Sequence, residues 1–242
     1  MNTGTNPTEP AVAAPQLQQL APDLWVAQGP QRFWGLEVGS RMTVMRLYDG
    51  GLVLHATREL TPALRAELDA LGPVRHAIAP NRFHHLHAGE VATHYPGSTL
   101  WIADGVQGKR PDLRFDHVLT DEAPPAWAGQ IDQRYFRGRP MENEVVFLHR
   151  DSRTLIFCDL AMNFGPRAPL GTRMWMTLMG GQGEFRPTRL DPLLIRDRAL
   201  ARASLAWILD QDFDRVVISH GEVLETGGKE ALRRGYAWLL RD

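Results

Sequence analysis

The stretch Arg75-His76-Ala77-Ile78-Ala79-Pro80-Asn81-Arg82-Phe83-His84-His85-Leu86-His87 decides how the chain is read. Its first half is a short apolar run that stops at a proline, and its second half gathers three histidines within four residues. An apolar run bounded by turn residues predicts a buried strand, and the spacing that follows predicts a helix. The histidines therefore fall where the C-terminal end of a strand hands over to a helix. Layered α/β folds collect ligands and metals at that position.

Upstream, Thr61-Pro62 followed by Leu64, Leu68 and Leu71 predicts an amphipathic helix that begins on a cap and a first-turn proline and stops at Gly72-Pro73. Before it, β-like runs at 24–27, 33–38, 42–47 and 52–55 are split by Gly29-Pro30, Gly39-Ser40 and Asp49-Gly50-Gly51. They predict an antiparallel meander with a hairpin at the Asp-Gly-Gly turn. Downstream, a helix over 89–94 and strands over 99–103, 117–119 and 131–136 are expected. A second hairpin, 144–149 with 154–158, turns at Arg150-Asp151-Ser152-Arg153 and ends on Asp159. The segment 163–192 is rich in Gly, Pro, Met and Arg with weak periodicity, as expected of a flap or the wall of a site. A helix over 193–209, a strand over 215–219 leading into His220-Gly221, and a last helix over 228–240 complete an α/β pattern.

The 242 residues, 43% of them hydrophobic, suffice for one large core. A single domain is expected over 21–242, behind a disordered leader over 1–20 in which Pro7, Pro10 and Pro15 stand among Thr, Ala and Gln. A net charge of -1 and a pI near 6.8 give no basic footprint for nucleic acid or anionic lipid. No apolar run is long enough to span a membrane, so a small-molecule substrate is the expected partner. The lone Cys158 excludes an internal disulfide framework and a Cys-rich zinc site and fits a reducing compartment, so a cytoplasmic location is expected. The Trp-rich meander fits a homodimer interface or its own core.

The chemistry-bearing groups just past apolar strands are the 81–87 cluster, Asp159 and His220. His plus carboxylate is a ligand mix for zinc, iron or manganese. Bland roles stand beside this one: His84 and His85 as hydrogen-bonded helix-start residues, Asp159 as an N-cap, His220 and Asn81 as turn residues. Met174, Trp175, Met176 and Met179 fit a substrate cleft or a core helix equally. The arginines at 41, 46, 82, 167, 173 and 186 either collect an anionic substrate or merely face solvent. Cys158, inside an apolar strand, reads as an inert buried thiol.

This order of elements, together with Arg41-Met42-Thr43-Val44, Leu71-Gly72-Pro73-Val74, Pro80-Asn81-Arg82-Phe83-His84-His85-Leu86 and Asp159-Leu160, resembles the metallo-β-lactamase-fold superfamily over roughly residues 20–242. Those phrases are similar above all to an uncharacterised branch, a domain family of unknown function. The resemblance implies a four-layer αββα sandwich, with two mixed sheets face to face, helices outside and the site at one edge. In well-characterised members the first metal motif is H-x-H-x-D-H after a strand; in register from Pro80, this chain places Asn81, Phe83, His85 and Leu86 at those four positions. The second-motif histidine falls near 140–144, where Glu144 is the only nearby candidate, whereas Asp159 matches the bridging aspartate and His220-Gly221 the final histidine. A dinuclear centre holds two cations about 3.5–4 Å apart, and this register supplies too few ligands for that. The resemblance thus implies an atypical, mononuclear metal-dependent hydrolase, since three protein ligands suffice for a catalytic cation. In it His85, Asp159 and His220 would hold zinc, iron or manganese, with His85 and Asp159 also catalytic, and His84, Glu144 and Asn81 would complete or orient the shell. Water activated by the cation would attack a small ester, lactone or thioester. The rival expectation is a non-catalytic member that has lost the metal and uses its pocket for a ligand or a protein partner.

Overall fold

Main-chain pairing begins with β1 (Leu17–Ala21) and β2 (Leu24–Gly29), antiparallel to each other, in a computed structural model that describes residues 16–241. The strand β1 overlaps the end of the expected leader, so regular structure starts before residue 20; the first part of that expectation, 1–15, lies outside the described residues. A small separate hairpin, β3 (Arg32–Phe33) with β4 (Leu36–Glu37), interrupts the expected meander. β5 (Ser40–Arg46) then pairs with β2 and with β6 (Leu52–His55), turning at Asp49-Gly50-Gly51. β7 (Val74–Ala79), β8 (Thr99–Ile102) and β9 (His117–Val118) add in parallel, giving a seven-stranded sheet. Parallel neighbours need crossovers. These run through α1 (Pro62–Leu71), α2 (Ala88–His94) and α3 (Val106–Lys109).

α1 forms where the sequence signals it. The Thr61 side chain accepts from the Leu64 N–H at 3.2 Å, Pro62 occupies the first turn, and Leu64 and Leu68 are fully buried, worth about 2 kcal/mol each. Gly72 ends it where the chain passes Gly50 so closely that a Cβ would lie 2.4 Å from the Gly50 carbonyl oxygen.

The second sheet contains β10 (Ile131–Tyr135), β11 (Val145–His149), β12 (Thr154–Ile156) and β13 (Arg215–Val217), with β13 parallel to β12. Its residues divide by alternation. Val145, Phe147, Ile156 and Val217 join the core shared with the larger sheet. Val146, Leu148, Leu155 and Val216 face a second core under α6 (Arg198–Asp210), α7 (Gly228–Gly235) and α8 (Ala237–Leu240). Side chains of period two feeding two separate cores establish the layered αββα arrangement.

Between β12 and β13, the segment expected to be irregular contains α4 (Leu170–Met179) and α5 (Asp191–Leu194), with bridges Met162 to Arg186 and Phe164 to Gln182. Met176 packs with Val38 and Phe164, whereas Leu170, Met174 and Leu178 face solvent, so the methionines divide between core and surface. The helix expected over 193–209 breaks after α5: Ile195 is extended, and Asp197 caps α6 by accepting from the Leu200 N–H at 2.9 Å. The last helix divides at Tyr236, whose hydroxyl donates to the Leu160 carbonyl at 2.7 Å. Trp25 belongs to the core, while Phe33 and Trp34 stack in solvent at the hairpin tip. Among the described residues no helix is long and apolar enough to cross a membrane.

Candidate metal centre

Three strand exits converge at one edge of the sandwich. At the first, after β7, fully buried Asn81 folds the chain into a tight turn: its Oδ1 accepts from the Phe83 N–H at 2.9 Å and the His84 N–H at 2.8 Å. Its Nδ2 donates to Asp159 Oδ2 at 2.7 Å, so one side chain both shapes the turn and ties it to the second exit. That second exit follows β12. Glu144, 1% exposed, accepts from the main-chain N–H groups of Cys158 and, at 3.0 Å, Asp159, and Arg139 donates to the Asp159 carbonyl at 2.9 Å. At the third, after β13, His220 Nδ1 lies 2.8 Å from the Gly39 carbonyl oxygen.

The three side chains that meet are His84, Asp159 and His220, with one ligand atom from each lying within 4.8 Å of the others. His84 Nε2 is 3.3 Å from both Asp159 oxygens and His220 Nε2 is 3.5 Å from Oδ1. Two ligand atoms on a tetrahedral cation with bonds of about 2.0–2.1 Å stand about 3.4 Å apart. A carbonyl only accepts, so His220 Nδ1 carries a ring proton, and in the neutral ring that burial favours its Nε2 presents a lone pair. That lone pair faces a carboxylate oxygen, an arrangement a cation reconciles. The donor set and its spacing fit a zinc-like ion.

The charges are arranged accordingly. Burial alone would raise the Asp159 carboxyl, but His84, His220 and Arg139 hold it well below the usual carboxylate range. Burial works against protonating His84, yet the Asp159 carboxylate raises it above an ordinary histidine. His220 is lowered by burial and by the neighbouring His84. Burial, with Asp159 beside it, raises Glu144 to about 8. The cleft beside His84, walled in part by Ser40, Thr57, Phe83 and Leu86, encloses about 10 Å³, the room of one water.

His84, rather than the expected His85, meets Asp159 and His220. Successive residues in a helical turn point about 100° apart, and the Asn81 turn directs His84 inward. His85 lies apart, near Arg110 and Lys109, with its buried Nδ1 unpartnered and burial lowering its pKa. Asn81 and Glu144 stand behind the ligand atoms, Asn81 on the Asp159 side chain and Glu144 on its main chain. The Asn81 turn had a sequence signal, a strand-exit Asn three residues before a His; the Gly39 carbonyl had none. Three of the arginines proposed to collect substrate are otherwise engaged. Arg41 is 3% exposed, Arg46 pairs with Asp23 at 2.7 Å, and Arg82 donates to the carbonyls of Asp104 and Pro140. Cys158 is fully buried and burial pushes its thiol up, as expected of an inert thiol.

Comparison with solved structures agrees with this architecture. The metallo-β-lactamase from Pontibacter korlensis superposes with a TM-score of 0.64 at 14% identity, over 93% of this chain and 99% of that one. The metallo-β-lactamase from Hirschia baltica gives 0.61 at 17% identity, over 93% and 97%. The mono-zinc form of the metallo-β-lactamase FIM-1 from Pseudomonas aeruginosa gives 0.61 at 11% identity, over 93% and 92%. At such identities the superpositions show the fold alone. No curated protein sequence matches the chain. A family model described as Domain of unknown function (DUF4336) matches residues 22–177. With the metallo-β-lactamase fold on one side and that match on the other, the chain belongs to the DUF4336 family.

Proposed function

We propose that this chain is a metal-dependent hydrolase with a single-cation centre, acting on a small ester, lactone or thioester. The observation that carries the reading is the convergence of His84, Asp159 and His220 within 4.8 Å, with His220 Nε2 left free to ligate by the bond from Nδ1 to Gly39. A bound cation would lower the pKa of water and polarise a carbonyl. The chain's own groups prepare the place for it. Asp159 stays ionised beside His84, Asn81 fixes its Oδ2, and Glu144 and Arg139 hold its main chain. Zinc suits two imidazoles and a carboxylate best, with iron and manganese as alternatives.

The non-catalytic reading draws on one feature, the narrowness of the cleft at His84. A panel of chromogenic esters, thioesters and lactones decides between the two readings, offered to chelated protein, to protein reloaded with zinc, iron or manganese, and to reloaded D159N. Metal-restored turnover that D159N abolishes supports the hydrolase. Stoichiometric metal without turnover of any substrate counts against the hydrolase, and no metal uptake at all favours the non-catalytic member that has lost the metal.

A further inference from the structure

We infer that Arg41 is a positioning residue for the cation: from inside the sandwich it grips the two carbonyls that bracket His220 and so fixes the imidazole that would ligate. The inference rests on the metal reading above. Arg41 stands on β5, 3% exposed. Its Nη1 donates to the Ile218 carbonyl and its Nη2 donates to the Gly221 carbonyl at 2.7 Å. The guanidinium thus spans the Ile218-Ser219-His220-Gly221 turn from one side to the other.

The start of the same strand region supplies a third point of attachment, because Gly39 accepts from His220 Nδ1 at 2.8 Å. On the far side of the turn, Glu222 donates its N–H to the Asn163 carbonyl at 2.7 Å, and Gly221 bridges Asn163. His220 is therefore held at the main chain before and after it and at its own ring. Neither rotation of the turn nor a ring flip is free.

The pairing is costly. A buried guanidinium is normally matched by a carboxylate. Both hydrogen bonds of Arg41 instead go to main-chain carbonyls and its Nε has no partner; burial lowers it to about 10, against a smaller raising effect of the Glu225 carboxylate, so it remains charged at neutral pH. A simple packing role at this place would be filled without charge. Reaching two carbonyls at once from one planar group is what arginine does and lysine does not.

The test uses the whole chain, stripped of metal, as wild type, R41K, R41M and L68A. The last removes a core leucine of α1, which carries no site residue, and controls for lost stability. Cobalt(II) titration followed by visible absorption reads affinity, and the imidazole Nδ1–H resonance of His220 reads the position of the ring without metal. Losing a group that orients a metal ligand costs about 10–100-fold in affinity. R41M is expected to fall in that range, R41K to fall less, L68A to match wild type, and the Nδ1–H resonance to vanish in R41M. Wild-type affinity and an intact resonance in R41M overturn the inference. Should R41M not fold, R41K decides: undiminished affinity overturns it and a decrease supports it. If the wild type takes up no cobalt, the metal reading fails by itself, and the resonance alone judges Arg41, its survival in R41M counting against the inference and its loss for it.

Discussion

Replacing Asn81 with aspartate tests the geometry at its tightest point. Asn81 is fully buried, and its Nδ2 lies 2.7 Å from Asp159 Oδ2. N81D keeps the acceptor for the Phe83 and His84 N–H groups but puts an oxygen where a donor stood. Two carboxylates that close share a proton. The carboxyl introduced would ionise near ~3.9 in the unfolded chain, so holding its proton at pH 7 costs about 4 kcal/mol, at about 1.4 kcal/mol per pH unit. His84 and Arg139, which favour negative charge at Asp159, make this an upper bound. The sign follows from a folded pKa raised above the unfolded one: the variant's deficit is absent at low pH and grows as pH rises. Urea denaturation of metal-free protein at pH 5, 6 and 7 should give a deficit of about 1.5 kcal/mol at pH 5, rising toward about 4 at pH 7. That is a large share of a typical stability of about 5–15 kcal/mol. Excess zinc should remove most of it, since a cation neutralises the pair. A deficit that does not change with pH, or stability equal to wild type at pH 7, would refute the contact between residues 81 and 159.

Gly221 has a φ of +95°, and a Cβ there would stand 2.2 Å from the Asn163 carbonyl oxygen. G221A is therefore expected to lose about 2 kcal/mol or more in urea denaturation and to bind metal more weakly; wild-type stability would contradict the packing of the His220 turn. His55 is buried with Nε2 unpartnered and its ring edge-on to Phe147 at 5.1 Å, and burial lowers its pKa to about 3. Its folded pKa lies below its unfolded value near ~6.5, so the wild type loses stability as pH falls from about 6.5 toward 3, by up to about 1.4 kcal/mol per unit. H55L should flatten that acid limb while staying within about 1 kcal/mol of wild type at pH 7; an unchanged acid limb would show that His55 is not buried neutral.

Where local chemistry carried the structure, the sequence was readable. Thr61-Pro62 with its leucines marked α1, Asp49-Gly50-Gly51 marked the β5–β6 turn, and the apolar run ending in Asp159 marked the second hairpin. The two-residue strands β3 and β4 are too short for alternation to show. α4 and the break between α5 and α6 were hidden by Gly, Pro and Met, which weaken periodicity without forbidding a helix. At the site, Asp159 and His220 were found because each follows an apolar strand directly. Choosing between His84 and His85 required knowing that Asn81 caps the main chain two and three residues on, which rotates the pair by one position. The hold of Gly39 and Arg41 on the His220 turn joins residues about 180 apart in sequence and has no local trace.

The most direct measurement is the metal content of wild type, H84A, D159N, H220A and H85A, each chelated, reloaded with zinc or cobalt and dialysed before elemental analysis. One equivalent in the wild type and in H85A, with loss in H84A, D159N and H220A, is the predicted result. Retention by H84A with loss in H85A, or no bound metal in the wild type, would contradict the centre described here.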